Sequence, residues 1–125
     1  MFTTLLQVAL GGAIGASARY LTGLGSLRLF GTGYPWGTLA VNVIGSFLMG
    51  VLFVVLAMKG GQRFAPFLMT GILGGFTTFS AFSLDALALW ERGQAGAAGL
   101  YVIASVGASI LAIVAGAALA RGIFA

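Results

Sequence analysis

The chain has 125 residues, of which 60 % are hydrophobic and 6 % charged, with a mean hydropathy of +1.11. A soluble domain carries about 25 % charged residues, so this composition excludes an ordinary water-facing surface, and its long runs almost free of charge indicate membrane spans. Cysteine and histidine are both absent, which excludes disulfides, thiolate metal sites and histidine-based acid–base or metal chemistry. The net charge of +4 comes from scattered Lys and Arg, whereas a nucleic-acid footprint needs clustering.

The pattern predicts an all-α membrane protein, a single four-span transmembrane domain over residues 1–125. The N-terminus lacks a charged region and an obvious cleavage site, so it reads as the first span and not as a removed signal peptide. Span 1 covers roughly residues 4–24 and is rich in small residues, Gly11, Gly12 and Gly15 followed by Ala16, Ser17 and Ala18. Small residues let helix backbones approach closely, which holds helices together in lipid. Arg19 sits near the far end of this span, either snorkelling to the interface or giving a vestibule mouth a positive potential. Pro35 then starts span 2, where its missing N–H costs nothing.

Span 2 covers roughly residues 36–58 and places Thr38, Asn42 and Ser46 on one face at steps of four. Asn42 is the sharpest single residue, because an amide at mid-depth is expensive unless paired. It suits either interhelical bonding or donation to a passing ion. Span 3, roughly residues 64–90, contains Gly74-Gly75-Phe76-Thr77-Thr78-Phe79-Ser80-Ala81-Phe82-Ser83. Glycines permit non-helical dihedrals and hydroxyls compete for backbone hydrogen bonds, so a helix break in mid-membrane is expected here. Lipid tolerates such a break only where it is buried in protein or lines a cavity. Its freed carbonyls can hold a small cation, and with no carboxylate close by, sodium is the expected ion. Phe79 and Phe82, three apart, share a face and suit either packing or presentation of their weakly positive ring edges to an anion. Asp85 follows, pairing near the far interface or serving a proton-coupled carrier. Span 4 covers roughly residues 95–120, with Tyr101, Ser105 and Ser109 again four apart.

Four spans put both termini on one side, with Lys59, Arg63 and Arg121; the other side holds Arg28 and Arg92, plus Arg19 if it reaches the interface. Orientation is set by Lys/Arg bias in short loops, and the bias here is close to nil. An antiparallel, dual-topology homodimer is the expectation that follows. The neutral donors of Asn42, Thr38, Ser80, Ser105 and Ser109 favour a small, strongly hydrated anion.

These residues resemble the small bacterial fluoride channels, the Fluc or CrcB family, over essentially the whole chain. The resemblance lies in Gly12 to Tyr20, in Gly37 to Phe47 and above all in Gly71 to Ser83. It implies a dual-topology homodimer in the inner membrane that exports cytoplasmic fluoride passively and excludes chloride. It also implies a pore lined by Asn42 with Phe79 and Phe82, Arg19 at a vestibule, and a fourth-span polar stripe of Tyr101, Ser105 and Ser109. A structural Na+ at the dimer centre, on the carbonyls of Gly74 and Thr77, is implied as well. Two positions depart from the family pattern, Ala81 for a threonine and Asp85 for a glutamate. The main alternative is a proton-coupled carrier like the small multidrug exporters, which needs a deep acid in span 1 that this chain lacks. An enzyme is not expected, since no nucleophile–base pair is visible.

Overall fold

The computed structural model describes residues 1–124 and is entirely helical. Helix α1 runs over Phe2–Phe30 and α2 over Trp36–Lys59. A short 3-10 turn, Gln62–Phe64, leads into the third stretch, which is composite. It consists of a π-helical segment Pro66–Leu73, one α-turn α3 (Gly74–Phe76), a break, and α4 (Ser80–Glu91). Helix α5, Ala95–Phe124, completes the bundle.

Three stretches are long and apolar enough to cross a membrane: Trp36–Lys59, Gln62–Glu91 and Ala95–Phe124. Helix α1 has 29 residues and at about 1.5 Å per residue is also long enough. Gln7, Arg19 and its run of small residues make it less apolar than the others. The fold is thus an all-α, multi-span membrane fold. The observed helices extend the expected spans by a few residues, most at the ends of α1 and α5.

Glycine sets the two closest helix crossings. A Cβ on Gly15 would run into the Ile72 carbonyl, and one on Gly11 would lie 2.5 Å from the Phe67 carbonyl. The π-helical segment therefore rests directly on the backbone of α1. At the second crossing, a Cβ on Gly50 would strike the Ile113 carbonyl and one on Gly116 the Phe47 carbonyl, so α2 and α5 also meet backbone to backbone. Such approach is the main source of attraction between helices in lipid. A small aromatic core of Phe82, Leu89, Ala98 and Tyr101 closes the bundle between α4 and α5.

The break lies one turn beyond the glycines. Gly74 is helical, at φ −63° and ψ −36°, and the chain turns extended at Thr77, at φ −84° and ψ 160°. Gly75 serves packing: a Cβ there would lie 2.8 Å from the Gly12 carbonyl. Gly75 thus brings α1 against the break, and the threonines make it.

Candidate ion site at the helix break

The break can be followed group by group. Thr77 donates both its N–H and its hydroxyl to the Leu73 carbonyl, at 3.0 and 2.9 Å. In a continuous helix the Thr78 N–H would reach Gly74. Instead it donates to Asn42 Oδ1 at 2.8 Å, and Asn42 Nδ2 donates back to the Thr78 carbonyl at 2.9 Å. The side-chain amide of Asn42 therefore replaces the missing backbone partner on both counts. Thr78 Oγ1 accepts the Ala81 N–H at 3.1 Å and so caps α4. The Gly75 carbonyl accepts Arg19 Nε at 3.1 Å. The carbonyls of Gly74, Phe76 and Thr77 receive no hydrogen bond among the described residues.

Two cavities meet at Thr78. The first, of about 360 Å³, is walled by Arg19, Thr38, Ala81 and Asp85 together with the 31–35 connection. The second, of about 460 Å³, is walled by Asn42, Gly74, Thr77, Phe79, Phe82, Ser105 and Ser109. The structure thus brings together seven of the eleven residues singled out from the sequence, and puts Arg19 and Thr38 on the neighbouring wall. Phe79 and Phe82 lie 5.5 Å apart between ring centroids, yet Phe79 is 76 % exposed and Phe82 only 7 %. Ser105 is 4 % exposed, and its hydroxyl has no hydrogen-bond partner among the described residues.

Two expected residues sit elsewhere. Tyr101 is fully buried off both cavities and donates its hydroxyl to Asp85 Oδ2 at 3.1 Å. Asp85 thus accepts a hydrogen bond from α5. Ser80 is exposed beside Thr78, the two hydroxyls 3.4 Å apart, and lines neither cavity. Arg19 is turned inward onto Gly75, so it does not snorkel. Asn42 has less to offer an ion than its formula allows, because its oxygen and one N–H are committed to Thr78. Thr78 was the residue missed; a threonine just before a helical run is the sequence sign of an N-cap. The connection residue Tyr34 was missed as well, and burial raises its phenol pKa above 10.0.

Fold and site together define a multi-pass membrane protein that gathers neutral hydrogen-bonding groups around a broken helix. The sequence matches the family described as CrcB-like protein, Camphor Resistance (CrcB), over residues 6–117. It is 70 % identical over 122 residues to "Fluoride-specific ion channel FluC" of Cereibacter sphaeroides (strain ATCC 17029 / ATH 2.4.9), covering 98 % of each chain. It is 58 % identical over 124 residues to the FluC protein of Ruegeria sp. (strain TM1040), and 55 % identical over 122 residues to that of Paracoccus denitrificans (strain Pd 1222), again covering 98 % of each chain. The chain belongs to the CrcB family. That membership places it outside the enzymes and gives the multidrug-exporter alternative no support.

Proposed function

We propose that the protein is a fluoride-selective channel, one four-span domain over 1–125, that passively exports cytoplasmic fluoride as an antiparallel, dual-topology homodimer. One observation carries the reading: the second cavity gathers the Asn42 amide, Ser105 and Ser109, and the Phe79 and Phe82 rings around one space. The second N–H of Asn42 has no protein acceptor among the described residues. A donor left without an acceptor is costly, and an anion in the cavity gives the second N–H of Asn42 a partner. The ring edges of Phe79 and Phe82 add weakly positive walls, and no carboxylate lines this cavity. Fluoride is small enough to make each such bond strong, and a larger anion, with its charge more spread, gains less from the same donors. Arg19 lines the first cavity together with Asp85, and its guanidinium is the group there that attracts an anion.

The lone chain leaves polar groups where lipid would lie. Gly74, Phe79 and Ser80 are exposed at the break, and lipid does not satisfy free backbone groups. A second copy covers them, and the balanced loop charges suit an inverted one. The bare carbonyls of Gly74 and Thr77 fit a sodium ion, since neutral oxygens alone suit a monovalent hard cation. Two copies supply four such oxygens. Bound there, sodium contributes a fixed positive charge near the centre.

A reconstituted preparation tests the reading. Fluoride-loaded liposomes are expected to lose fluoride without a proton gradient and to retain chloride. Equal chloride flux, or a strict need for a proton gradient, would overturn the channel. A single cysteine in the 92–94 loop is expected to label from both sides; labelling from one side only sinks the dual topology. Replacing sodium by a large organic cation is expected to lower the flux, and an unchanged rate removes sodium from the proposal.

A further inference from the structure

Tyr34 belongs to no motif and to no polar stripe, yet it is held more tightly than the rest of its connection. The Trp36 N–H donates to the Tyr34 carbonyl at 2.9 Å, across Pro35 at φ −80° and ψ 66°. That is an inverse γ-turn, and the proline ring fixes its φ. The side chain is held on two further sides. The Trp36 ring lies 4.7 Å away, and the Tyr101 ring meets it edge-on at 5.5 Å and 88°. From Tyr101 the contacts continue to Phe82 at 5.2 Å, and from Phe82 to Phe79 at 5.5 Å. One unbroken series of rings thus joins the α1–α2 connection to the two phenylalanines at the break.

Tyr34 also occupies a boundary. A third cavity of about 320 Å³ lies beside the first, and Tyr34, Pro35, Leu27 and Asp85 belong to the walls of both. The residue therefore stands where the vestibule divides, in ring contact with the tyrosine that donates to Asp85.

We propose that Tyr34 is a positioning residue for anion passage, its ring fixing Tyr101 and through it the orientation of Phe82 and Phe79. The inference rests on the channel reading above. What matters is the ring and not the phenol oxygen, for which no hydrogen-bond partner is found among the described residues. The pore rings are then set partly from the membrane surface, by a connection whose one rigid element is the turn at Pro35.

The test is fluoride and chloride efflux from liposomes, per assembled protein, for the wild type, Tyr34→Phe and Tyr34→Leu. Tyr34→Met stands in if the leucine variant does not assemble. Tyr34→Phe is expected to stay within about twofold of wild type. Loss of the ring contact with Tyr101 is expected to lower fluoride flux by roughly tenfold in the leucine variant and to reduce the fluoride-to-chloride ratio with it. A purely structural role would lower the amount of assembled protein and leave the ratio alone; that result overturns the inference. Unchanged flux and ratio in the leucine or methionine variant overturn it too, as does an equal loss in Tyr34→Phe. A wild-type protein that passes no fluoride overturns the channel reading, whereas a conducting wild type with an unaffected leucine variant overturns only the role of Tyr34.

Discussion

The two halves of the third stretch use similar residue types for opposite ends. Before the break, Gly71 and Gly75 bring backbone onto backbone: a Cβ on Gly71 would lie 2.9 Å from the Gly11 Cα, and one on Gly75 2.8 Å from the Gly12 carbonyl. That half is wide π-turn followed by a single α-turn, held by shape against α1. After the break, α4 is regular and held by chemistry: a threonine cap, a phenylalanine in an aromatic core, and a tyrosine–aspartate bond at its flank. Irregular backbone is possible where the neighbour is another backbone at fixed distance. Regular helix is restored where side chains must be aimed. Asn42 stands at the joint, its amide bonded to both backbone groups of Thr78.

Asn42→Asp should therefore have the largest effect. The carboxylate has no N–H to give to the Thr78 carbonyl and sets a negative charge beside the second cavity. Each buried polar group left without a partner costs about 1–3 kcal/mol, and the charge repels an anion. Fluoride efflux is expected to fall to the background of empty liposomes. Flux near the wild-type rate would mean that the two halves do not depend on this joint.

Next in size comes the glycine surface of the first half. Gly15→Ala places a methyl group against the Ile72 carbonyl, whereas Gly12→Ala meets nothing within 4 Å. Forced overpacking costs about 1–3 kcal/mol, and Gly→Ala in a helix with room for the methyl gains up to about 1 kcal/mol. Thermal unfolding in detergent should show Gly15→Ala clearly less stable and Gly12→Ala equal to wild type or slightly better. Equal behaviour of the two would remove the claim that shape holds this half.

The comparison also shows what was legible in the residues. Composition gave the membrane fold, and the spacing of Thr38, Asn42 and Ser46 gave the polar face of α2. Glycine and threonine both permit a break, so the sequence could place it only within a turn; the neighbour decides, and Gly12 takes Gly75 for packing. The commitment of Asn42 to Thr78 depends on a crossing between α2 and the third stretch, which no spacing along one helix encodes. The π-turns of Pro66–Leu73 leave no pattern of their own, because hydrophobic runs look alike at either pitch. Tyr34 was hidden for a related reason: a single aromatic in a connection acquires meaning only from the ring it meets.

The smallest effect is expected at Thr78, and it separates its side chain from its backbone. Asn42 binds the Thr78 N–H and carbonyl, so those bonds survive any substitution that keeps the backbone in place. The hydroxyl does something else, accepting the Ala81 N–H at the start of α4. Thr78→Val keeps the β-branched shape and removes only that acceptor, and Thr78→Ser keeps it. Loss of an N-terminal cap costs about 0.5–2 kcal/mol, borne by the first turn of α4 and not by the α1 contact. Hydrogen exchange in detergent should accelerate in the first turn of α4, the Ala81 amide foremost, in Thr78→Val alone, with exchange in Pro66–Phe76 unchanged and fluoride flux lowered only a few-fold. Acceleration spreading into Pro66–Phe76 would show that the halves share one cooperative unit. Unchanged exchange at Ala81 would show that the joint at Asn42, and not the cap, holds the second half in register.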